Sequence, residues 1–418
     1  MNTAFEDIKI GDVCLVGDGA HASIKRKESG VLYLSSRNFK DGGLDLSKVY
    51  YISEEDFNKH FKDTSKAITK TKAGDVALSI IGTIGEPYVV KPSDRFGLSS
   101  AVAFLRPDTE LVDPGYLYYW LKGPEFQKAV YNVKGGVAQG YVSLEMIKGL
   151  PFRKFNKDTQ VSIRSFLKNY DNLIENNNRR IAILEEMAQS LYREWFVNFR
   201  YPNHEDNFDT GGNLQIVDSP LGQIPNGWEI KSAQAAITIN PKTKLDKTTD
   251  NPFVGMSGLA ENSMVIRDVI QKKGNSGAKF INGDTLFARI TPCLQNGKTG
   301  YVQFLTEEQP VGFGSTEFIV LRESEDLSSE LIYLLSRSNN FREHAIQSMT
   351  GATGRQRVHN DCFASLYVAV PPRDLMDEFT TLVAPMFKSI FNLSKRNENL
   401  KKQRDMLLPK LISGDIEV

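Results

Sequence analysis

Ile174, Ile181, Leu184, Ala188, Leu191 and Trp195 fall at spacings built from threes and fours, and Asn177 shares their seam. That rhythm predicts an amphipathic helix with the seam of a coiled coil. Neither Gly nor Pro occurs from Asn156 to Asn198, and Asn156-Lys157-Asp158-Thr159 supplies an N-cap. A helix of about 40 residues would run roughly 60 Å at about 1.5 Å per residue. A second seam follows at Ile390, Leu393, Asn397, Leu400, Arg404, Leu407 and Leu411. Pro385 and Pro409 lie on this second helix and predict a kink or a stop at each. Short apolar runs between Gly and Asp turn signals predict strands at Val31–Leu34, Val76–Ile81, Asp284–Ala288 and Glu317–Leu321.

The two helical seams are one pattern repeated. Ile174, Leu184, Leu191 and Trp195 recur as Ile390, Leu400, Leu407 and Leu411 at an offset of 216 residues. Ser99, Leu105 and Arg106 recur as Ser315, Leu321 and Arg322 at the same offset. The chain therefore reads as two copies of one unit, with an expected internal two-fold axis. Pro151 against Pro371 suggests a four-residue insertion in the second copy. The expected fold class is α+β: two α/β domains in pseudo-two-fold arrangement, each followed by a long helix, with the helices packed as an antiparallel coiled coil. The segments are 1–150, the first α/β domain; 151–200, the first helix; 201–227, a linker too rich in Gly and Pro to form an element; 228–370, the second domain; and 371–418, the second helix and C-terminus. In the antiparallel pair, one register sets Asn177 opposite Asn397, and a register shifted by one heptad sets Asn177 near Arg404.

Composition narrows the function. Lys+Arg and Asp+Glu both number 51, so affinity for a polyanion must come from local patches or partners. One such run is Lys59, His60, Lys62, Lys66, Lys70 and Lys72, for which a solvated face is the commoner reading. Cys14, Cys293 and Cys362 lack metal or redox spacing and read as core residues of a reduced, cytoplasmic protein. No apolar run reaches the roughly 18 residues a membrane span needs.

Catalytic motifs are missing. Gly297-Lys298-Thr299 ends like a phosphate loop, but Pro292 replaces the glycine that opens one. Gly17, Gly19 and Ala22 precede no apolar helix, and Asn251-Pro252-Phe253 has one proline where a flipped-base pocket uses two. The five histidines show neither a zinc-protease spacing nor a cysteine cluster, so no metal is expected.

Three segments carry a resemblance. Ser219-Pro220-Leu221-Gly222-Gln223-Ile224-Pro225-Asn226-Gly227-Trp228-Glu229-Ile230 opens the second half, Leu184–Phe199 closes the first helix, and Leu400–Ile416 closes the second. Together with the two-copy layout, they make the chain similar to the specificity subunits of type I restriction-modification systems. The resemblance implies a non-catalytic subunit that reads a bipartite, asymmetric site on double-stranded DNA. It implies two modification subunits, which use S-adenosylmethionine to methylate adenine, and two restriction subunits, which use ATP and Mg; this chain would bind no cofactor itself. The competing reading is a duplicated coiled-coil adaptor that binds no DNA.

For DNA contact, two loops in each half are the candidates: Ser79–Gly85 with Gly135–Ser143, and Arg289–Lys298 with Gly351–His359. Arg355, Gln356, Arg357 and His359, with Arg289 and Lys298, are expected to face the second half-site, because Arg and Gln match guanine and adenine edges bidentately. Arg357 reads equally as a phosphate contact. In the first half the candidates are Gln139 and Tyr141, with Lys134 on phosphate. Trp195, Phe196 and Phe199, with Leu408 and Leu411 as counterparts, either pack under the neighbouring domain or dock the modification subunits.

Overall fold

The computed structural model describes residues 5–40, 42–64, 67–134, 140–207, 215–352 and 354–418. Contacts divide the chain into two units, Met1–Ile174 with Asn399–Val418, and Glu175–Glu398.

In the first unit a four-stranded antiparallel sheet runs in the order Pro87–Val89, Val76–Ser79, Val102–Pro107, Cys14–Asp18. Its two central strands are buried throughout, which is why they read as continuous apolar runs and not as alternation. A second sheet sets Val31–Leu34 between parallel Phe96–Leu98 and antiparallel Tyr50–Ile52. Phe5–Lys9 pairs with Pro151–Phe155, the strand that leads into the first long helix. The helix Pro114–Lys122 is capped by Asp113, whose carboxylate accepts the Tyr116 N–H at 2.9 Å. It buries Tyr116, Leu117, Tyr119, Trp120 and Leu121.

The second unit repeats this order. Thr299–Tyr301, Thr285–Ala288, Phe318–Arg322 and Thr238–Ile239 form the four-stranded sheet. Asp250–Val254 lies between parallel Gly312–Gly314 and antiparallel Ile270–Lys273, and Glu229–Ser232 pairs with Tyr367–Val370. One strand is added, Ala278–Phe280, on the far side of Gly312–Gly314. The offset of 216 holds from Val102 to Phe318 and from Pro151 to Tyr367, the first residues of matching strands. The insertion suggested by Pro371 is therefore not there: Pro371 follows the strand, and its likeness to Pro151 is coincidental.

Each four-stranded sheet is clamped at one point. Asp75 is 1% exposed and accepts from Arg106 Nε and Nη2, both at 2.9 Å, and from the Lys72 N–H at 2.8 Å. Asp284, 0% exposed, accepts from Arg322 Nε and Nη2, both at 2.7 Å, and from the Ile281 N–H at 2.8 Å. Both are bidentate Arg–carboxylate pairs across neighbouring strands.

The first long helix is Lys157–Tyr192, 36 residues, and Asn156 caps it by accepting the Thr159 N–H at 2.9 Å. A π-helical turn, Arg193–Val197, extends it and is capped by Asn198, and the following Phe199, at φ 54°, turns the chain away. The second, Arg373–Ser413, is unbroken over 41 residues, so neither Pro385 nor Pro409 stops it. Pro385 sits on the exposed face, where water can serve the carbonyl its ring leaves unbonded, while Val383 and Phe387 on the opposite face are in the core. The linker also departs from expectation. Ile216–Ser219 and Gly222–Pro225 form a hairpin, and the Pro220 and Gly222 that argued against an element make its turn, with Gly222 at φ 90°.

Within the second unit the helices run antiparallel, with Asn177 beside Asn397 and the rings of Trp195 and Phe379 5.4 Å apart. Asn177 Nδ2 donates to Asn397 Oδ1 at 2.8 Å, and Asn397 Nδ2 donates to Asn178 Oδ1 at 2.9 Å. The expected register is the observed one. Arg404 instead pairs with Asp171 at 2.6 Å, in the first unit, where Ile163 and Leu167 share a core with Leu408 and Leu411.

Two outcomes are expected. Asn177→Leu and Asn397→Leu each strand a buried amide and should cost about 1–3 kcal/mol in urea unfolding of the full chain, with the double variant less destabilised than the sum of the two. Strictly additive losses would exclude the contact. Asp75→Ala leaves Arg106 buried without its main partner and should cost roughly 3–5 kcal/mol, read as faster hydrogen exchange in Val76–Ser79 and Val102–Pro107.

Candidate nucleic-acid interface

From each clamp the chain runs up one central strand and leaves it in a loop. In the first unit the strand Val76–Ser79 continues to Ile80 and Ile81. Ile80 donates its N–H to the Ala101 carbonyl at 3.0 Å and accepts the Val142 N–H at 3.3 Å. Ile81 then forms an antiparallel bridge with Tyr141. In the second unit Arg289 donates its N–H to the Glu317 carbonyl at 3.0 Å and accepts the Val358 N–H at 2.9 Å. Ile290 forms the matching bridge with Arg357. The two candidate loops of each half, distant in sequence, are thus joined by the same backbone hydrogen bonds in both units.

The second unit adds further straps. Thr291 N–H donates to the Gln356 carbonyl and Gln356 N–H to Thr291 Oγ1, both at 3.1 Å. Arg357 exchanges both backbone hydrogen bonds with Thr350, at 2.9 and 3.0 Å. A loop pinned on both sides presents its side chains with little freedom left to lose.

Arg355 and His359 are exposed, and Gln356 is half-buried. Arg357 is 46% exposed at its side chain and pairs with Glu317: Nε lies 3.0 and 2.9 Å from the two carboxylate oxygens, and Nη2 lies 2.8 Å from Oε1. These bonds hold the Glu317 carboxyl below the usual range, against a smaller opposing effect of burial. Arg289 is half-buried, and its Nε has no hydrogen-bond partner among the described residues. Lys298 is turned inward, donating from Nζ to the Met256 carbonyl at 3.1 Å. In the first unit Tyr141 is 36% exposed at the loop crossing. Gln139 lies outside the described residues, and so does the side chain of Lys134, which ends the helix Pro124–Lys134.

Glu317 escaped the sequence reading. A signal was available: at the offset of 216 it stands where the first half has Ala101.

The aromatic cluster divides. Trp195 is 5% exposed in the second unit's core, while Leu408 and Leu411, 7% and 1% exposed, belong to the first unit's core. These three are packing residues. Phe196 meets Phe379 at 4.7 Å and Trp228 at 5.8 Å, and Phe199 meets Trp228 at 5.3 Å. Both are half-buried and line a groove of about 810 Å³ along the end of the first helix, which also exposes Val197 and Tyr367. In the basic run, Lys59, Lys62, Lys70 and Lys72 are exposed, whereas Asp63 turns to Arg106 at 2.7 Å.

Among the described residues no group of three or more His, Cys, Asp or Glu is placed to hold a metal, and no helix is long and apolar enough to cross a membrane.

Residues 2–186 match the family described as "Type I restriction modification DNA specificity domain". The chain is 23% identical to the type I restriction enzyme MjaIX specificity subunit of Methanocaldococcus jannaschii, over 98% of this chain and 93% of that one. It is 20% identical to the HindI specificity subunit of Haemophilus influenzae, over 82% and 87%. Its fold is similar to the crystal structure of the type I restriction-modification system S subunit of M. genitalium, with a TM-score of 0.56 and 14% identity over 98% of this chain and 96% of that one. A duplicated unit, two long helices and these matches make the chain similar, over nearly its whole length, to the specificity subunits of type I restriction-modification systems.

Proposed function

We propose that this chain supplies DNA sequence recognition to a type I restriction-modification complex, with each unit contributing one reader built on its crossed loops. One observation carries the reading. The backbone crossing of Ile81 with Tyr141 recurs as Ile290 with Arg357, while the side chains around the shared isoleucine differ: Ile80 and Tyr141 in one unit, Arg289 and Arg357 in the other. A shared frame with unlike side chains suits a bipartite, asymmetric target. In the second reader Arg355, Gln356, Arg357 and His359 face DNA, with Arg289 beneath them; in the first, Tyr141 does so together with Gln139 and Lys134. Lys298, committed to the Met256 carbonyl, supports the loop.

The chain itself contributes no bond-making step. Two modification subunits supply methylation from S-adenosylmethionine, and two restriction subunits supply ATP- and Mg-dependent translocation and cleavage. A coiled-coil adaptor without DNA leaves the loop crossing unexplained. For the modification subunits the docking surface is the groove beside Phe196 and Phe199, not the buried Trp195, Leu408 or Leu411.

Arg355→Ala and Arg357→Ala should relax the second half-site and leave the first intact, with a loss of roughly 1–3 kcal/mol of discrimination per bidentate contact. Methylation-site profiling of the reconstituted complex reads this directly; profiles unchanged in both variants would remove the loop from the reader. Phe196→Ala should weaken co-purification with modification subunits. If the folded variant retains them at unchanged affinity, the cluster is core alone.

A further inference from the structure

The ion pair between Arg357 and Glu317 is oriented. A guanidinium carries five N–H groups in a planar fork. Glu317 occupies one edge, taking Nε and one hydrogen of Nη2. The adjoining end edge, formed by Nη1 and the remaining Nη2 hydrogen, makes no hydrogen bond among the described residues. It presents two parallel donors from a side chain whose backbone is pinned to Ile290 and Thr350.

Two parallel donors match one base edge in the major groove. Guanine offers O6 and N7, both acceptors; adenine offers an acceptor beside a donor, cytosine a donor, and thymine one acceptor beside a methyl group. Resting on the DNA-reading proposal above, we infer that Glu317 is a specificity-determining positioning residue, which locks Arg357 edge-on to select a guanine in the second half-site. Glu317 need not touch DNA. It removes the alternative in which a free, flexible Arg357 swings to the nearest phosphate and carries no sequence information.

The first unit shows the same backbone without the device. The hydrogen bonds that join Arg289 to Glu317 and Val358 to Arg289 recur as those that join Ile80 to Ala101 and Val142 to Ile80. In place of Arg289, Glu317 and Arg357 that unit has Ile80, Ala101 and Tyr141. A carboxylate at Glu317 is therefore no requirement of the fold. It is also unfavourable for phosphate binding, since it sets a negative charge among groups that face a polyanion.

That opposition gives the test two readouts of opposite sign. The full chain, co-purified with its modification subunits, is used to select from randomised duplexes, and its retention on one non-cognate duplex is titrated against salt. Arg357→Ala and Glu317→Ala should both flatten the same single guanine position in one half-site, by about tenfold or more. The double variant should lose nothing further at that position, and the other half-site should stay sharp in every case. On the non-cognate duplex Arg357→Ala should bind more weakly, while Glu317→Ala binds at least as tightly as the parent. Glu317→Gln, which keeps an acceptor oxygen without the charge, should retain part of the preference.

If Arg357→Ala flattens a guanine and Glu317→Ala leaves it sharp, the loop reads DNA but Glu317 does not position it, and the inference falls alone. Loss of both half-sites in Glu317→Ala, or weaker non-cognate binding, would make Glu317 a structural residue. Flattening at a base other than guanine would overturn the chemistry. If neither variant changes any position, the reading of this loop fails, and the inference with it.

Discussion

A carboxylate removed from water must be neutralised by geometry, and in each unit that requirement organises the sheet beneath the loops. Asp75 and Asp284 open the strands Val76–Ser79 and Thr285–Ala288, and each is held by an arginine on the next strand. Two N–H bonds to one carboxylate fix rotation as well as distance, so slipping the strands by one residue would separate the pair and also invert every buried side chain. Breaking such a pair from one side is costly, because the remaining charge has no water to turn to. The strand is therefore anchored at its start and leaves the sheet at a defined place. The first residue beyond it, Ile80 or Arg289, finds its backbone partners at 101 and 142, or at 317 and 358.

The consequence is a division between backbone and side chain. The bonds at the loop crossing that the two units share are all main-chain, so they tolerate Tyr141 in one unit and Arg357 in the other without change of frame. Recognition can then diverge between halves while the scaffold stays fixed. Duplicated chains that read through their backbone could not do this; chains that read through side chains on a common frame can.

Much of this architecture was legible because it is written in spacing. The offset of 216 survives in the helices and in the central strand Val102–Pro107, matched by Phe318–Arg322, where a single inserted residue would rotate a seam or invert a face. Asn177 and Asn397 were legible as a pair because each breaks an apolar seam, and only one register lets them satisfy each other. Other features depend on contacts that spacing does not encode. Pro385 reads as a helix breaker until its exposed position is known, and Pro220 with Gly222 reads as linker until the flanking strands are seen to pair. Trp195 and Phe196 were ambiguous because their partners, Trp228 and Phe379, lie in separate segments of the chain. Glu317 stands beside an apolar strand and looks like its solvated end, while the arginine it holds is 40 residues away.

Charge balance bears on how such a chain can read DNA at all. With 51 basic and 51 acidic residues it has no net attraction to a polyanion, and several of its arginines are spent internally: Arg106 and Arg322 on the clamps, Arg404 on Asp171. Affinity for duplex DNA scales with phosphates neutralised and is indifferent to sequence, whereas discrimination scales with how firmly donors are aimed at base edges. A reader that had to supply both would avoid a carboxylate beside its arginine. A subunit that works inside a larger complex can leave phosphate contacts to its partners and use its own charges for aim. On that division of labour, net neutrality and a glutamate on the proposed reading face are two expressions of one constraint.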